Sequence, residues 1–452
     1  LARVALDPGL LAFNLGILLL SPLLIAQKVR RVRKGAKGEF ERKRWTAVPE
    51  TPDRNDELQK EPGIHVVFVG SGFGEWLLMD KLGKALRDRI PDLKISLCLR
   101  DPVTVAHVLR QRPGQNVLNW PFDFLIPVLR FLGRVHPDVV VFFEKFRFTN
   151  FAVGSARYGA KVALLSGRAR KRRGFVQRLA DPGYRWMVRS FSAMFMQREE
   201  FAEAMRGICA SGADVRATGD VKIDLQHKDI EPDRAAEIDR WLGQSPVPIF
   251  AAGSTKHTRE EAILLDAWEQ VRAEFPSRLM IAPRRFQRAD EVETFLRERG
   301  YTVSRRSRGD GDADIYLLDT LGELAYAYRH CLAAYVGGAM FEMGHNVLEP
   351  VEWGKPVAYG RNRGNFEALQ KMCEEIGVGF RVADAQELAR HWLQVARDPA
   401  LRDRIARVGP ERLERERGTF ERNLEGLIRL IEREPRTAAG RRARGFRDGS
   451  NE

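Results

Sequence analysis

Short, uninterrupted apolar runs alternate along this chain with longer stretches whose apolar residues recur at helical spacing. Ile64–Val69, Lys94–Leu99, Val139–Phe143 and Lys161–Leu165 are runs of the first kind in the first half. Pro248–Ala251, Leu279–Ala282 and Leu332–Val336 are their counterparts in the second. Runs of this length that do not alternate with polar residues predict strands buried on both faces, and helical stretches between them predict crossovers, so the expected class is parallel α/β. The polar, Pro- and Asp-rich stretch 51–62 predicts a linker, and Gln244-Ser245-Pro246 after a connecting helix predicts a second boundary. The expected organisation is an apolar and basic segment over 1–50, a first domain over 51–240, a second over 241–434, and a disordered Arg- and Gly-rich tail over 435–452.

The longest apolar run, Leu10 to Ala26, has 17 residues and is interrupted only by Asn14 and Ser21-Pro22. As a helix it reaches roughly 25 Å, the short edge of what spans a bilayer. Lys28, Arg30, Arg31, Arg33, Lys34 and Lys37 follow it at once. That order argues against a cleaved signal peptide and predicts a membrane anchor or monotopic insertion, with anionic headgroups held on the cytoplasmic side. Charge agrees: 75 Lys+Arg against 61 Asp+Glu leave +14, which favours a polyanionic partner. The dense basic run Ser166–Arg173 lacks the interleaved aromatics that stack bases, which argues against single-stranded nucleic acid. Cys98, Cys209, Cys331 and Cys373 are far apart and form no metal-binding or disulfide framework.

Candidate chemistry concentrates at the ends of the predicted strands. Tyr335–Pro350 reads Y-V-G-G-A-M-F-E-M-G-H-N-V-L-E-P. Gly337 and Gly338 predict a sharp turn, and the helix that Gly354 and Pro356 stop would bring its N-terminus to the same place, an arrangement suited to an anion. His345, Asn346 and Glu349 are a polar cluster that a plain core connection does not need, and Glu349 could accept hydrogen bonds from a ribose diol. Ser254 and Thr255 at the turn after Pro248–Ala251 can wrap a phosphate, and Arg284 is delivered to the carboxyl edge of the sheet. Asp319 or Thr320 caps a helix start that carries Gly322 and Glu323. The glycines of Gly70–Glu75 do not form a dinucleotide fingerprint, so no cofactor is assigned there; Glu75, at a helix start, reads equally as a cap.

Taken together, G-S-T-K-H-T-R-E-E, A-P-R-R-F-Q-R-A-D-E-V, L-D-T-L-G-E-L and the Tyr335–Pro356 block resemble, in order and spacing, the transferases of 3-deoxy-D-manno-octulosonic acid (Kdo). A-T-G-D-V-K-I-D resembles the family's T-G-N-L-K-F-D segment, and the likeness spans about Pro22 to Leu430. The resemblance implies a GT-B glycosyltransferase: two Rossmann-like domains facing a central cleft, preceded by the membrane-associated helix. It implies a CMP-Kdo donor on the C-terminal domain, held by Ser254, Thr255, Arg284, Gly322, Glu323, Gly337, Gly338, His345, Asn346 and Glu349. A lipid A precursor would be read on the N-terminal domain by Glu144, Arg168 and Lys222, and Glu75 would be the catalytic base. Arg284, the backbone after Gly253 and the helix N-terminus near Asn346 would stabilise the leaving CMP, so neither metal nor cofactor is expected. The implied setting is lipopolysaccharide biosynthesis at the cytoplasmic face of the inner membrane, with anionic lipid as a partner and no nucleic acid. The chain departs from the family pattern on the acceptor side: Gly72 replaces the Ser of S-V-G-E, Phe146 replaces the second Glu of E-T-E-L-W-P-N, and Ser166-Gly167-Arg168-Ala169-Arg170 stands for N-A-R-L-S. A UDP-dependent GT-B transferase or epimerase, and a degenerate GT-B binder without turnover, are the alternatives.

Overall fold

Each of the short apolar runs singled out above in the two halves forms a strand of a parallel sheet in the computed structural model, which describes residues 1–5, 7–20, 35–144, 148–168, 181–224, 230–362 and 366–432. The first sheet contains β1 (His65–Gly70), β2 (Lys94–Leu99), β3 (Asn116–Asn119), β4 (Val139–Phe143), β5 (Lys161–Gly167), β6 (Ala193–Met196) and β7 (Asp214–Ala217). The second contains β8 (Ile249–Thr255), β9 (Arg278–Pro283), β10 (Val303–Arg305), β11 (Ile315–Leu317), β12 (Cys331–Val336), β13 (Val357–Gly360) and β14 (Gly379–Val382). All pairings are parallel, in the orders β3-β2-β1-β4-β5-β6-β7 and β10-β11-β9-β8-β12-β13-β14. The central strands are covered on both faces: Val66, Val67 and Phe68 on β1, and Phe250, Ala251 and Ala252 on β8, are fully buried. Such strands need no polar alternation, which is why the sequence shows none.

Strand order reverses direction beside β1 in the first sheet and beside β8 in the second. In open parallel sheets the crossovers part at such a point and leave a crevice outside the carboxyl ends of the strands. The residues that follow β1 and β4, and those that follow β8 and β12, border those two crevices. Three of the six described non-glycine residues with positive φ stand at carboxyl ends of strands. Glu144 after β4 (φ 55°), Ser166 late in β5 (φ 52°) and Ser254 late in β8 (φ 59°) hold left-handed conformations that cost a non-glycine residue about 1–3 kcal/mol each.

The chain divides into two units whose boundaries differ from the expected ones. The second unit is Lys222–Arg417, and the first combines Leu1–Val221 with the segment that starts at Gly418. Helix Pro232–Gly243, expected to close the first domain, belongs to the second unit. There Ile238, Trp241 and Leu242 join the core, and Trp241 Nε1 donates to Ser304 Oγ at 2.8 Å. Helix Thr419–Glu432, expected in the second domain, packs in the first unit against helix Phe73–Arg89 and strands β5 and β6. Leu424, Leu427 and Ile431 are fully buried there, at about 1.5–3 kcal/mol each. Arg422 Nε donates to Thr218 O at 3.0 Å. The stretch 51–62 is not a linker: it carries helix Pro52–Lys60, seated by Leu58 and Asn55, both buried. The expected disordered tail falls outside the described residues.

The N-terminal apolar run also differs from a free-standing anchor. Its described part is helix Pro8–Leu20, and Leu10 on it is fully buried. Asn14, the polar interruption, donates to Asn150 Oδ1 at 2.6 Å and accepts from Leu125 N at 3.0 Å. Among the described residues no helix is long and apolar enough to cross a membrane. The basic residues from Lys28 to Lys34 lie outside the described residues.

The last helix lies very close to the sheet at Gly426, where a β-carbon would come within 2.4 Å of the Phe195 ring. Gly426→Val is therefore expected to destabilise the first unit by about 1–3 kcal/mol, read as an earlier thermal transition. In the control, Gly243→Ala, where nothing lies within 4 Å, the transition stays in place.

Candidate functional site

In the first unit the chain turns sharply out of β1 because Gly70 has no side chain; a β-carbon there would sit 2.0 Å from Met79 Cε and 3.2 Å from Glu75 Cβ. Glu75 then falls in the first turn of helix Phe73–Arg89 and folds back over the turn. Its Oε2 accepts from Ser71 Oγ at 2.8 Å, from Gly72 N at 3.3 Å and from Ser71 N. The cap expected from the sequence is thus real, and it uses one carboxylate oxygen. Burial, followed by the negative charge of Glu144, pushes the Glu75 pKa up; the hydrogen bonds from Ser71 and Gly72 only partly offset this. Glu144 is itself 6% exposed and ion-paired to Arg168 Nη2 at 2.5 Å. Arg168 N also donates to Glu144 O at 3.2 Å. Beside them, the buried Ser166 hydroxyl donates to Asp220 Oδ1 at 3.3 Å and accepts from Gln197 Nε2 at 3.2 Å. The strand ends β1, β4 and β5 therefore bring Glu75, Glu144 and Arg168 together. Lys222 is the first residue of the second unit, and its Nζ lies 4.8 Å over the Phe366 ring. Phe146 and the basic run beyond Arg168 lie outside the described residues.

In the second unit the turns after β8 and β12 are pressed together. A β-carbon on Gly337 would come within 2.6 Å of Ser254 O, and one on Gly338 (φ 91°) within 2.6 Å of Met343 O. Glycine is required at both positions for close approach. The N–H groups of both glycines are engaged within the protein and not left for an anion: Gly337 N donates to Gly253 O at 2.8 Å and Gly338 N to Glu260 Oε1 at 2.7 Å. Lys256 N, two residues beyond Ser254, donates to Glu260 Oε2 at 3.0 Å. Thr255 is fully buried and its hydroxyl donates to Glu261 Oε1 at 2.7 Å, so it braces the turn from inside. Glu323 is likewise interior: Arg234 Nε and Arg306 Nε reach its carboxylate at 3.0 and 3.1 Å, and Thr320 donates to it. Gly322 (φ 85°) makes the turn that brings Glu323 there.

The remaining predicted donor residues do converge. Arg284, exposed at the end of β9, has its N–H on Thr255 O at 2.8 Å. His345 is held to a pKa of about 3 by burial first and then by the charges of Arg284 and Lys256, so it is neutral at pH 7. Its Nε2 is buried without a hydrogen-bond partner. Asn346 Oδ1 accepts from Leu348 N, at the start of the five-residue helix Leu348–Glu352, at 3.2 Å, and its Nδ2 donates to Glu349 Oε1 at 3.3 Å. Burial raises Glu349 to about 7, while Asn346 and Arg284 pull the other way. The cluster of one exposed guanidinium, one neutral imidazole, one amide and one carboxylate can neutralise a phosphate and accept hydrogen bonds from a diol.

Three residues of this site were not singled out from the sequence. Glu260 reads there as an ordinary acidic residue in a first helical turn, yet it is fully buried and ties Gly338, Lys256 and the Tyr335 hydroxyl (2.9 Å) to one carboxylate. Tyr328 reads as core, yet a β-carbon on Gly253 would sit 1.9 Å from its hydroxyl, and Glu349 helps burial push its pKa up. Gln370 is 1% exposed with both amide atoms unpartnered, and its Nε2 lies 3.3 Å from where a Gly344 β-carbon would be. A helix position carries no signal of that kind.

Comparisons with known proteins bear on both units. A sequence model described as 3-Deoxy-D-manno-octulosonic-acid transferase (kdotransferase) matches residues 40–225. The 3-deoxy-D-manno-octulosonic acid transferase of Haemophilus influenzae is 26% identical over 391 residues, covering 82% of this chain and 87% of its own length. That of Bordetella pertussis is 27% identical, over 70% of this chain and 74% of its own. Among solved structures, a glycosyltransferase from Rickettsia africae aligns with 82% of this chain and 98% of its own at a TM-score of 0.55 and 11% identity, a likeness of fold.

Removing the Glu260 carboxylate strands three donors, two of them on the paired turns. Glu260→Ala is expected to lower stability by about 3 kcal/mol in chemical denaturation. Glu260→Gln, which keeps one acceptor oxygen, should recover part of that loss; equal loss in both variants would mean that hydrogen bonding is not what Glu260 contributes.

Proposed function

The chain belongs to the family of Kdo transferases, and on that premise we propose that it moves Kdo, or a closely related ulosonic acid, with inversion from its CMP conjugate to a hydroxyl of a lipid A-type acceptor. The observation that carries this reading is the state of Glu75. Its Oε2 is saturated by the turn, while burial and Glu144 hold its pKa above the usual carboxylate range. Such a carboxylate is a stronger base than a free one, as removal of a hydroxyl proton requires. The acceptor oxygen gives its proton to Glu75 as it bonds to the anomeric carbon. The bond from that carbon to the phosphate oxygen breaks, and CMP leaves with the electron pair. Arg284 offsets the charge that develops on the phosphate, a role for a fixed cation that needs no reorganisation. Glu349 accepts from the ribose hydroxyls, and neutral His345 supplies a polar contact without adding charge. On the acceptor side, Arg168 paired to Glu144 is the candidate for reading the sugar-phosphate end of the lipid.

The same reading sets the protein on the cytoplasmic face of the inner membrane, with helix Pro8–Leu20 lying in the interface. Its outward leucines support this: Leu11 and Leu15 are 46% and 57% exposed, and Ile126, next to the Leu125 that Asn14 binds, is 61% exposed. The run of Lys and Arg that follows in sequence suits anionic headgroups. Changing Leu11 and Leu15 to Ser is expected to weaken flotation with anionic vesicles; unchanged flotation would reject the interfacial helix.

The reaction is tested by CMP release from CMP-Kdo with a lipid A precursor present. Glu75→Gln should lower acceptor-dependent release at least about a hundredfold with CMP binding intact. A raised carboxyl pKa means that activity is lost as pH falls, at a higher pH than for an ordinary glutamate. Glu144→Gln removes the negative neighbour, lowers the Glu75 pKa and should move this acidic limb of the pH–rate profile to lower pH. A limb that stays put would mean that Glu75 is not the group titrating.

A further inference from the structure

The turn after β8 carries a cluster that the proposed reaction has not used. Lys256 Nζ lies 3.1 Å from Glu342 Oε2 and donates to Met343 O at 3.0 Å. His257 Nε2 lies 3.1 Å from the other oxygen, Glu342 Oε1. Two neighbouring basic side chains thus hold both oxygens of one carboxylate, which arrives from the loop after β12. Beside them is a cavity of about 420 Å³, lined by His257, Thr258, Arg259, Phe341 and Glu342. The two other acids of this turn are engaged elsewhere: Glu260 on Gly338, Tyr335 and Lys256 N, and Glu261 on Thr255 and Arg288. Glu342 is held differently from those two. Its side chain is 52% exposed, and an exposed ion pair of this kind contributes little stability.

The chemistry of the donor supplies the reason for such an arrangement. An ulosonic acid bears a carboxylate on its anomeric carbon, the same carbon that carries the phosphate. Its site therefore needs a second cation within a few bonds of the phosphate subsite. Lys256 stands two residues after Ser254, and its charge is felt at His345 beside Arg284. We propose that Lys256 and His257 form the subsite for the carboxylate of an acidic donor sugar, and that Glu342 occupies it until the donor takes its place. This rests on the CMP-ulosonic acid reading and adds what that reading leaves open: how the sugar acid itself is recognised. Exchange of one carboxylate for another leaves the Lys256 ammonium paired in both states, so the free site avoids an unpaired ammonium without blocking the donor. A neutral hexose donor offers nothing to replace Glu342 and would leave the subsite shut.

The experiment compares the full-length chain with Lys256→Ala, Lys256→Gln and Glu342→Ala, each checked for an unshifted melting transition. It reads KM for CMP-Kdo and the inhibition constant of CMP alone. Loss of one charge-assisted contact predicts a KM about tenfold higher for both Lys256 variants, with the CMP constant within about twofold of native. Glu342→Ala should lower KM, because the occupant is gone. The proposal is overturned if the Lys256 variants leave KM unchanged, or weaken CMP and CMP-Kdo alike, which would make Lys256 a phosphate contact. A higher KM in Glu342→Ala would also overturn it, making Glu342 a structural tie. Absence of CMP release by the native chain would instead reject the donor reading and take this proposal with it; the other outcomes are all read against a native chain that turns over.

Discussion

A carboxylate can be fully buried only if hydrogen bonds repay its lost hydration, and the second unit is built around one that is. Glu260 takes a backbone N–H from the turn after β8, a backbone N–H from the turn after β12 and a hydroxyl from within β12. The two turns must touch for this to happen, and that contact excludes a side chain at Gly337 and forces Gly338 into a left-handed conformation. Once the turns are locked, the loop that follows carries His345 and Asn346 to a fixed place, and Arg284 is fastened to the same turn through Thr255. The candidate donor site is thus largely a consequence of satisfying one buried charge. Its glycines serve packing.

The strand-rich part of the fold was legible because central parallel strands are apolar on both faces and cannot be mistaken for half-exposed ones. Strands β10, β11 and β14, at or next to the edges of the second sheet, span only three or four residues, too few to display a period. Glu75, Arg284, His345, Asn346 and Glu349 were legible because each sits in a polar block at a strand end. Glu260 and Gln370 were not, because what distinguishes them is burial by distant segments, which no local pattern encodes. The same limit explains the domain boundary. Helices Pro232–Gly243 and Thr419–Glu432 look alike as amphipathic segments, and only the surfaces they meet decide which unit each completes.

Strain and charge follow one design in both halves. Glu144, Ser166 and Ser254, three of the six described non-glycine residues in left-handed geometry, lie at the carboxyl ends of β4, β5 and β8. Acids in these regions fall into two kinds. Glu260, Glu261 and Glu323 are buried and saturated, and they shape loops. Glu75 and Glu349 keep raised pKa values because burial is only partly answered by donors. Incomplete satisfaction is costly for a fold, and it leaves these two carboxyl groups ready to take a proton or a hydroxyl contact.

The return of the last helix to the first unit reverses the usual order of folding during synthesis. Residues 222–417 interrupt the first unit, and the chain re-enters it where Thr419 donates to Asp220 O at 3.3 Å. On the ribosome the second unit has its whole sequence once Arg417 has emerged. The first sheet, made earlier, still lacks the helix that covers Phe195. A nascent chain therefore carries an unfinished apolar face through the synthesis of roughly two hundred further residues, the span in which an incomplete domain is most prone to misassociate. The half of the protein that is made first is the half that is finished last.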